Sequence, residues 1–160
     1  MPCINMIIDC NTLAETSKVF IYPANRKFYK DEFPVFNKKI ENFLNNFEGV
    51  DAFFEIKYQR FIVIVISEKT PLSIEQNDKL VSFILSLEKE FKITLLDKVN
   101  VCFKQGEYVQ LKEITAFKKL IKNKGVSKKT IVFDNLISIK DEYDNYWEMP
   151  AEFSWVSHLF

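Results

Sequence analysis

Two arginines, Arg26 and Arg60, are the only ones in a chain of 160 residues whose other basic side chains are lysines. A guanidinium group donates in a planar fork that matches carboxylate and phosphate, and Lys27 adds a cation beside Arg26. These three residues form the candidate site for a small anionic ligand. The alternative, which we favour, is structural: Arg26 pairs with a local acid or packs along Tyr22 or Phe28.

A second candidate group lies in the acidic, aromatic segment of residues 140–160. Tyr146, Trp147 and Trp155 are candidate partner-binding residues, because large aromatic side chains with a polar atom are enriched at interfaces. The alternative is again structural. With Tyr143, the same side chains could form an aromatic plug that covers a sheet, and we favour this interpretation because large aromatics mostly pack.

Motifs for phosphate, metal or nucleophilic chemistry are absent from the sequence. The three glycines, Gly49, Gly106 and Gly125, are too far apart to form a phosphate-cradling loop. The single histidine, His158, stands three residues from the end and is interpreted as a surface or packing residue. The sequence therefore predicts no catalytic residue, no metal and no cofactor.

Charge and hydropathy exclude two classes of partner. Lys+Arg and Asp+Glu balance at 22 each, and the lysine-rich run at residues 118–129 has no interleaved aromatics for base stacking, so nucleic acid is not expected. The longest apolar run, Phe61–Ile66, is far shorter than a membrane span.

Three scattered cysteines (Cys3, Cys10, Cys102) and the lack of a signal-peptide pattern in residues 1–13 predict a cytoplasmic protein.

Hydrophobic periodicity in residues 1–104 predicts the element order β-α-β-β-α-β. Strand patterns cover 18–23, 52–59, 61–67 and 98–103, and helix patterns cover 31–49 and 70–91. This order is typical of an α+β domain with a ferredoxin-like split β-α-β sandwich. Residues 105–160 would add a β-α-β extension, with strands at 108–111 and 130–136 around a helix at 111–125, and the two parts are expected to form one compact unit.

The third strand pattern, residues 61–67, is apolar on both faces and needs two covers. Two helices cover only one face of a split β-α-β sheet, so either the C-terminal extension or a partner subunit should cover the other. The same topology places the end of strand one, the helix start near Asp31 and the hairpin at Arg60 on one rim. Arg26 and Arg60 would then lie close together beside a helix N-terminus, which favours anions.

Four short segments carry a resemblance to a known family. "YPANRKF" (22–28), "VFDNL" (132–136), "WEMPA" (147–151) and "SW" (154–155) resemble landmarks of small proteins from Bacteroidetes that are called "ABC transporter ATPase". The chain has neither a Walker loop nor a signature motif, so membership does not imply ATPase activity here. The family often has Cys-Ser-Ile-Asp before its second helix, whereas this chain has Leu72 in place of the cysteine.

The C-terminal part is also similar to bacterial relatives of GYF domains, through its lysine-rich helix, "VSKKTIVF" and the tryptophan before Pro-Ala. That resemblance implies aromatic side chains that receive proline-rich peptides. The Gly-Tyr-Phe tripeptide itself is absent from this chain.

The function expected from the sequence is binding of a protein or peptide partner, or of a small anionic ligand, without catalysis. An alternative is a small enzyme or sensor that holds an anionic substrate with Arg26, Lys27 and Arg60. A third is a structural subunit of a larger assembly.

Overall fold

The computed structural model describes residues 12–97 and 99–160, and it shows an α+β protein. The predictions for the N-terminal segment, for Cys3 and Cys10, and for the start of the strand at Lys98 lie outside these residues. The strands are β1 (Lys18–Pro23), β2 (Ala52–Lys57), β3 (Phe61–Ile66), β4 (Val101–Gln105), β5 (Tyr108–Lys112), β6 (Ile131–Phe133) and β7 (Glu148–Pro150). The helices are α1 (Phe33–Asn45), α2 (Ile74–Phe91), α3 (Ile114–Lys122) and α4 (Lys140–Tyr146).

The first sheet is antiparallel with the strand order β1-β3-β2. Its register places Lys18 and Ala52 on either side of Ile66, so β1 and β2 are parallel to each other with β3 between them. This is the split β-α-β arrangement that the sequence predicts for these three strands. The helices α1 and α2 pack on one face, against the even-numbered residues of β3.

The second sheet has the order β5-β4-β6-β7 and is also antiparallel. Because β4 pairs with β5 and β6, it does not join β1, and the ferredoxin-like topology is not confirmed. Residues 138 and 139 occupy the edge of β1 instead: Val19 donates its N–H to Ser138, and Lys18 forms a β-bridge with Ile139. The predicted domain boundary between residues 104 and 105 falls within β4.

Three apolar clusters separate four layers, which are α1 with α2, the first sheet, the second sheet, and α3. Every residue of β3 is at most 1% exposed. Its even-numbered side chains join the helix cluster, while Phe61, Val63 and Val65 pack against the second sheet and α4. The C-terminal part therefore covers the second face of β3, as one of the two sequence alternatives predicts. A third cluster lies between the second sheet and α3.

Local signals account for most element ends. Pro34 lies in the first turn of α1, where a missing N–H costs nothing, while Asp31 belongs to a preceding 3₁₀ turn, so the helix begins two residues after the predicted start at residue 31. Ser73 caps α2 by accepting the N–H of Gln76. No helix within the described ranges is long and apolar enough to cross a membrane.

Candidate functional site

Arg26 lies in the loop between β1 and α1, and both terminal nitrogens of its guanidinium group donate hydrogen bonds within this chain. Nη1 and Nη2 donate to the two carboxylate oxygens of Glu32 at 2.9 and 3.1 Å. The same group donates to the carbonyls of Lys27 and Phe91, and it stacks on the ring of Tyr29 at 4.2 Å. Arg26 therefore ties this loop to the end of α2, as the structural interpretation expects, through Glu32 and Tyr29 rather than through Tyr22 or Phe28.

Arg26 and Glu32 shift each other's pKa values. The hydrogen bond from Arg26 lowers the pKa of Glu32, assisted by the backbone N–H of Tyr29, and outweighs the opposing effect of burial. The hydrogen bond to Glu32 likewise raises the pKa of Arg26. The carboxylate is thus the anion that this arginine holds.

The side chains of Lys27 and Arg60 have contacts that differ from those of Arg26. The Nζ atom of Lys27 lies 4.8 Å from the ring centroid of Tyr108, at the start of β5. Arg60 is half-buried beside Cys102; burial lowers its pKa, and its Nε is buried without a hydrogen-bond partner among residues 12–97 and 99–160. The backbones do share a rim, since Ala24 donates its N–H to the carbonyl of Arg60 at 2.9 Å. The three cations have different neighbours, and the anion site stays a prediction.

Trp147 lies between the two sheets and is only 2% exposed. Its ring centroid is 5.0 Å from that of Phe61, 4.9 Å from that of Phe133 and 5.1 Å from that of Tyr143. Its surroundings are those of an aromatic plug, and in this conformation it offers no surface to a partner. Tyr146, the preceding residue, is exposed.

Asn135 links the plug to the second sheet. Its Oδ1 accepts the indole N–H of Trp147 at 2.9 Å, and its Nδ2 donates to the sulfur of Cys102 at 3.3 Å. An indole nitrogen can only donate, so the amide orientation follows from chemistry. Burial raises the pKa of Cys102 to about 11, which keeps this thiol protonated near neutral pH. Cys102 is therefore a packing residue rather than a nucleophile.

A charged strap joins the sheets at the β2–β3 turn. The hydroxyl of Tyr58 donates to Glu148 of β7 at 2.5 Å, and Lys104 of β4 forms an ion pair with the other oxygen of the same carboxylate at 2.5 Å. Burial raises the pKa of Tyr58, and its contact with Glu148 adds to the effect. Tyr58 is thereby held against both β4 and β7.

An apolar cleft of about 250 Å³ opens on the second sheet. Its most exposed lining residues are Val99 and Leu136, each 71% exposed, and Trp155 is 37% exposed. Ile114, the first residue of α3, lies at the same opening, and the end of β6 lies at its base. Exposed aliphatic and aromatic side chains in a concave site are typical of a binding surface.

The polar atoms of the cleft are few. Asp134 accepts the N–H of Leu136 through Oδ1, and Asn100 donates through Nδ2 to Asp97. Within the described ranges, Oδ2 of Asp134, Oδ1 of Asn100 and the indole N–H of Trp155 have no partner. The residues that line the opening therefore carry two acceptors, one of them charged, and one donor that are not engaged by the described residues.

Sequence reasoning identified Trp155 but missed the rest of the cleft. Its other residues come from three separate segments: the loop before β4, the start of α3, and the end of β6 with the loop that follows it. Two of the short segments singled out in the sequence, 132–136 and 154–155, contribute residues 133–136 and Trp155 to the cleft. Segment 147–151 pairs with β6 directly beneath them.

The described residues contain no group of three or more His, Cys, Asp or Glu side chains that could hold a metal ion. His158 is exposed in a terminal 3₁₀ turn. The described residues form an α+β protein with two stacked antiparallel sheets and an apolar cleft on the second sheet. No protein-family model, curated protein or solved structure matches the chain.

Proposed function

We propose that this protein binds an extended peptide segment of a protein partner in the cleft beside Trp155. The observation that carries the proposal is the exposed apolar lining formed by Val99, Leu136 and Trp155. Side chains of this size cost free energy when they face water, about 25 cal/mol per Å² of apolar area, and an apolar ligand side chain would relieve that cost.

The polar atoms of the opening specify the peptide further. The indole N–H of Trp155 can donate to a peptide carbonyl, as tryptophans do when they hold extended, proline-containing segments. The free oxygen of Asp134 favours a positive charge next to the apolar anchor. The expected ligand therefore has an aliphatic or proline residue adjacent to Lys or Arg.

The alternatives have less support. An anionic ligand or substrate would need Arg26, Lys27 and Arg60 to converge, whereas Arg26 already holds Glu32.

We place the activity in the cytoplasm, because the protein has few, scattered cysteines, and the one described, Cys102, is buried with a protonated thiol.

The test is selection from a displayed library of random peptides with the full chain, followed by affinity measurements on the enriched sequences. We expect enrichment of an apolar residue beside Lys or Arg, with dissociation constants on the order of micromolar. Trp155→Ala and Leu136→Ser should each weaken binding about tenfold or more. Asp134→Asn keeps the acceptor for Leu136 and should weaken binding about 2- to 5-fold, with a smaller dependence on salt.

Phe153→Ser is the matched control, because Phe153 is 70% exposed and lies two residues from Trp155 but does not line the cleft. Its affinity for the selected peptides should equal that of the wild type. Failure to enrich any sequence, or peptides that bind Trp155→Ala as well as the wild type, would overturn the proposal.

A further inference from the structure

A pocket of about 290 Å³ lies on the first sheet, whereas the cleft beside Trp155 lies on the second. The loop before β1, the start of β1, the end of β3 with the loop that follows it, and the start of α2 form its walls. Pockets for drug-sized ligands occupy roughly 300 to 1,000 Å³, so this one suits a smaller molecule.

Two side chains of opposite charge line this pocket without pairing. Lys18 and Glu68 form no ion pair with each other, and among the described residues neither has another ion-pair partner. The Nζ atom of Lys18 only lies 5.9 Å from the ring centroid of Phe20. Lys18 is the one cation and Glu68 the one anion among the described residues that line the pocket. Each can therefore take an opposite charge from a ligand.

The acceptors of the pocket are partly used and partly free. Glu68 accepts the hydroxyl of Thr16 through Oε2, and Asn77 donates through Nδ2 to the carbonyl of Ser73 at 3.2 Å. Within the part of the chain that the structure describes, Oε1 of Glu68 and Oδ1 of Asn77 have no partner. A ligand ammonium group has three donors and no acceptor, so these two oxygens suit it.

The remaining wall next to the charges is apolar. Lys18 is directly opposite Ile66 in the strand register, and cross-strand neighbours share a face of the sheet. Ile66 is 1% exposed, while Phe20 and Leu72 are partly buried against the helix cluster, and Pro71 completes this wall. A ligand here would place an apolar group close to its charged groups.

We propose that this pocket binds a free α-amino acid with an aliphatic side chain. Lys18 would hold the α-carboxylate, Glu68 and Asn77 the α-ammonium group, and Phe20 and Leu72 the side chain. The end of a peptide, an aliphatic acid or an aliphatic amine carries only one of the two charges. A free amino acid carries both on one carbon atom, so it satisfies the two unpaired groups together.

The test on the unmodified full chain is isothermal titration calorimetry with L-leucine and two analogues. L-leucine should bind with a dissociation constant on the order of 100 µM. Leucine amide lacks the carboxylate and 4-methylpentanoate lacks the ammonium group, so each should bind at least about tenfold more weakly, because a charged hydrogen bond is lost. Equal affinities for all three compounds would contradict recognition of both charges.

Two variants assign each charge to its side chain. Lys18→Met should weaken L-leucine about tenfold or more and leave the weaker binding of leucine amide unchanged, because the amide has no carboxylate for Lys18 to hold. Glu68→Gln should weaken L-leucine to a similar extent and leave the binding of 4-methylpentanoate unchanged. A purely structural effect of either substitution would instead weaken all three compounds alike.

Lys69→Met is the matched control, because Lys69 is exposed and adjacent to Glu68 but does not line the pocket. It should bind L-leucine as the wild type does. The proposal fails if the wild type binds none of leucine, isoleucine, valine and methionine, or if Lys18→Met and Glu68→Gln behave like the control. Trp155→Ala should bind L-leucine normally, so amino-acid binding and peptide binding can fail independently.

Discussion

Arg26 makes four hydrogen bonds from one guanidinium group, two to Glu32 and one each to the carbonyls of Lys27 and Phe91. The arrangement joins residues 65 positions apart and fixes the entry into α1. A planar fork was needed for this task, because two parallel bonds to one carboxylate and two to carbonyls cannot be made by an ammonium group. The presence of arginine rather than lysine at position 26 is therefore explained by its structural role in this loop.

Glu32→Gln should lower the free energy of unfolding by about 0.5–1.5 kcal/mol at pH 7, since it replaces a bidentate, charge-assisted pair that is partly exposed. The pKa of Glu32 is lowered on folding, so its stabilising effect is complete above the ordinary value of 4.5 and is lost as pH falls through the folded pKa. Urea unfolding at pH 7 and at successively lower pH should show the difference between wild type and variant shrinking below about pH 4.5.

Glu75→Gln is the control, because Glu75 is ion-paired with Lys79 across one helical turn but its side chain is 80% exposed. It should cost less than about 0.5 kcal/mol. Equal effects of the two substitutions, or a Glu32 effect that does not change with pH, would show that the Arg26 pair does not stabilise the loop.

The β2–β3 turn contains two residues in a backbone conformation that their residue types disfavour. Tyr58 and Gln59 have φ values of 55° and 57°, which is the left-handed conformation that hairpin turns of this type require and that favours Gly or Asn. Tyr58 is kept there by the strap to Glu148 and by ring contacts with Phe61 and Phe133. Gln59 is exposed and has no comparable support.

Gln59→Gly should therefore stabilise the protein by about 0.5–1 kcal/mol, because glycine enters the left-handed region without a steric penalty. Gln110→Gly, inside β5 where φ is not positive, should instead destabilise it by a similar amount. Thermal unfolding of both variants measures the contrast. A loss of stability in Gln59→Gly would mean that the turn is not strained.

At the scale of the whole molecule, the two sheets share one apolar cluster and should unfold together. Phe61 of β3 is fully buried, and its ring packs on Phe133 and Trp147 of the other sheet at 4.9 and 5.0 Å. Both tryptophans of the chain lie in the C-terminal part, so their fluorescence reports on the second sheet.

Phe61→Ala should cost about 3–5 kcal/mol and should shift the fluorescence and far-ultraviolet circular dichroism transitions in urea by the same amount. Leu85→Ala, at an exposed position of α2, should cost under about 1 kcal/mol. Two separate transitions, or a tryptophan signal that ignores Phe61→Ala, would mean that the sheets unfold independently.

The sequence by itself determined the elements that depend on near neighbours. Helical spacing placed α1 and α2, β-branched and aromatic residues placed β1, alternation placed β2, and the doubly apolar β3 implied a cover on each face. These signals are local because helix bonds span four residues and strand alternation spans two. Residues 140–150 showed no clear periodicity, and there the structure has the short α4 and β7.

Only the tertiary structure decided where β4 pairs, which acid holds Arg26, and which side chains line the cleft beside Trp155. The pairing of β4 with β6 and the lining of the cleft depend on segments that are distant in the chain and meet through packing. β4 joins β5 because a two-residue turn at Gly106 returns the chain directly, and the β1 edge is already taken by residue 138. Burial of Trp147 and exposure of Trp155, eight positions later, follow from the same packing and not from residue type.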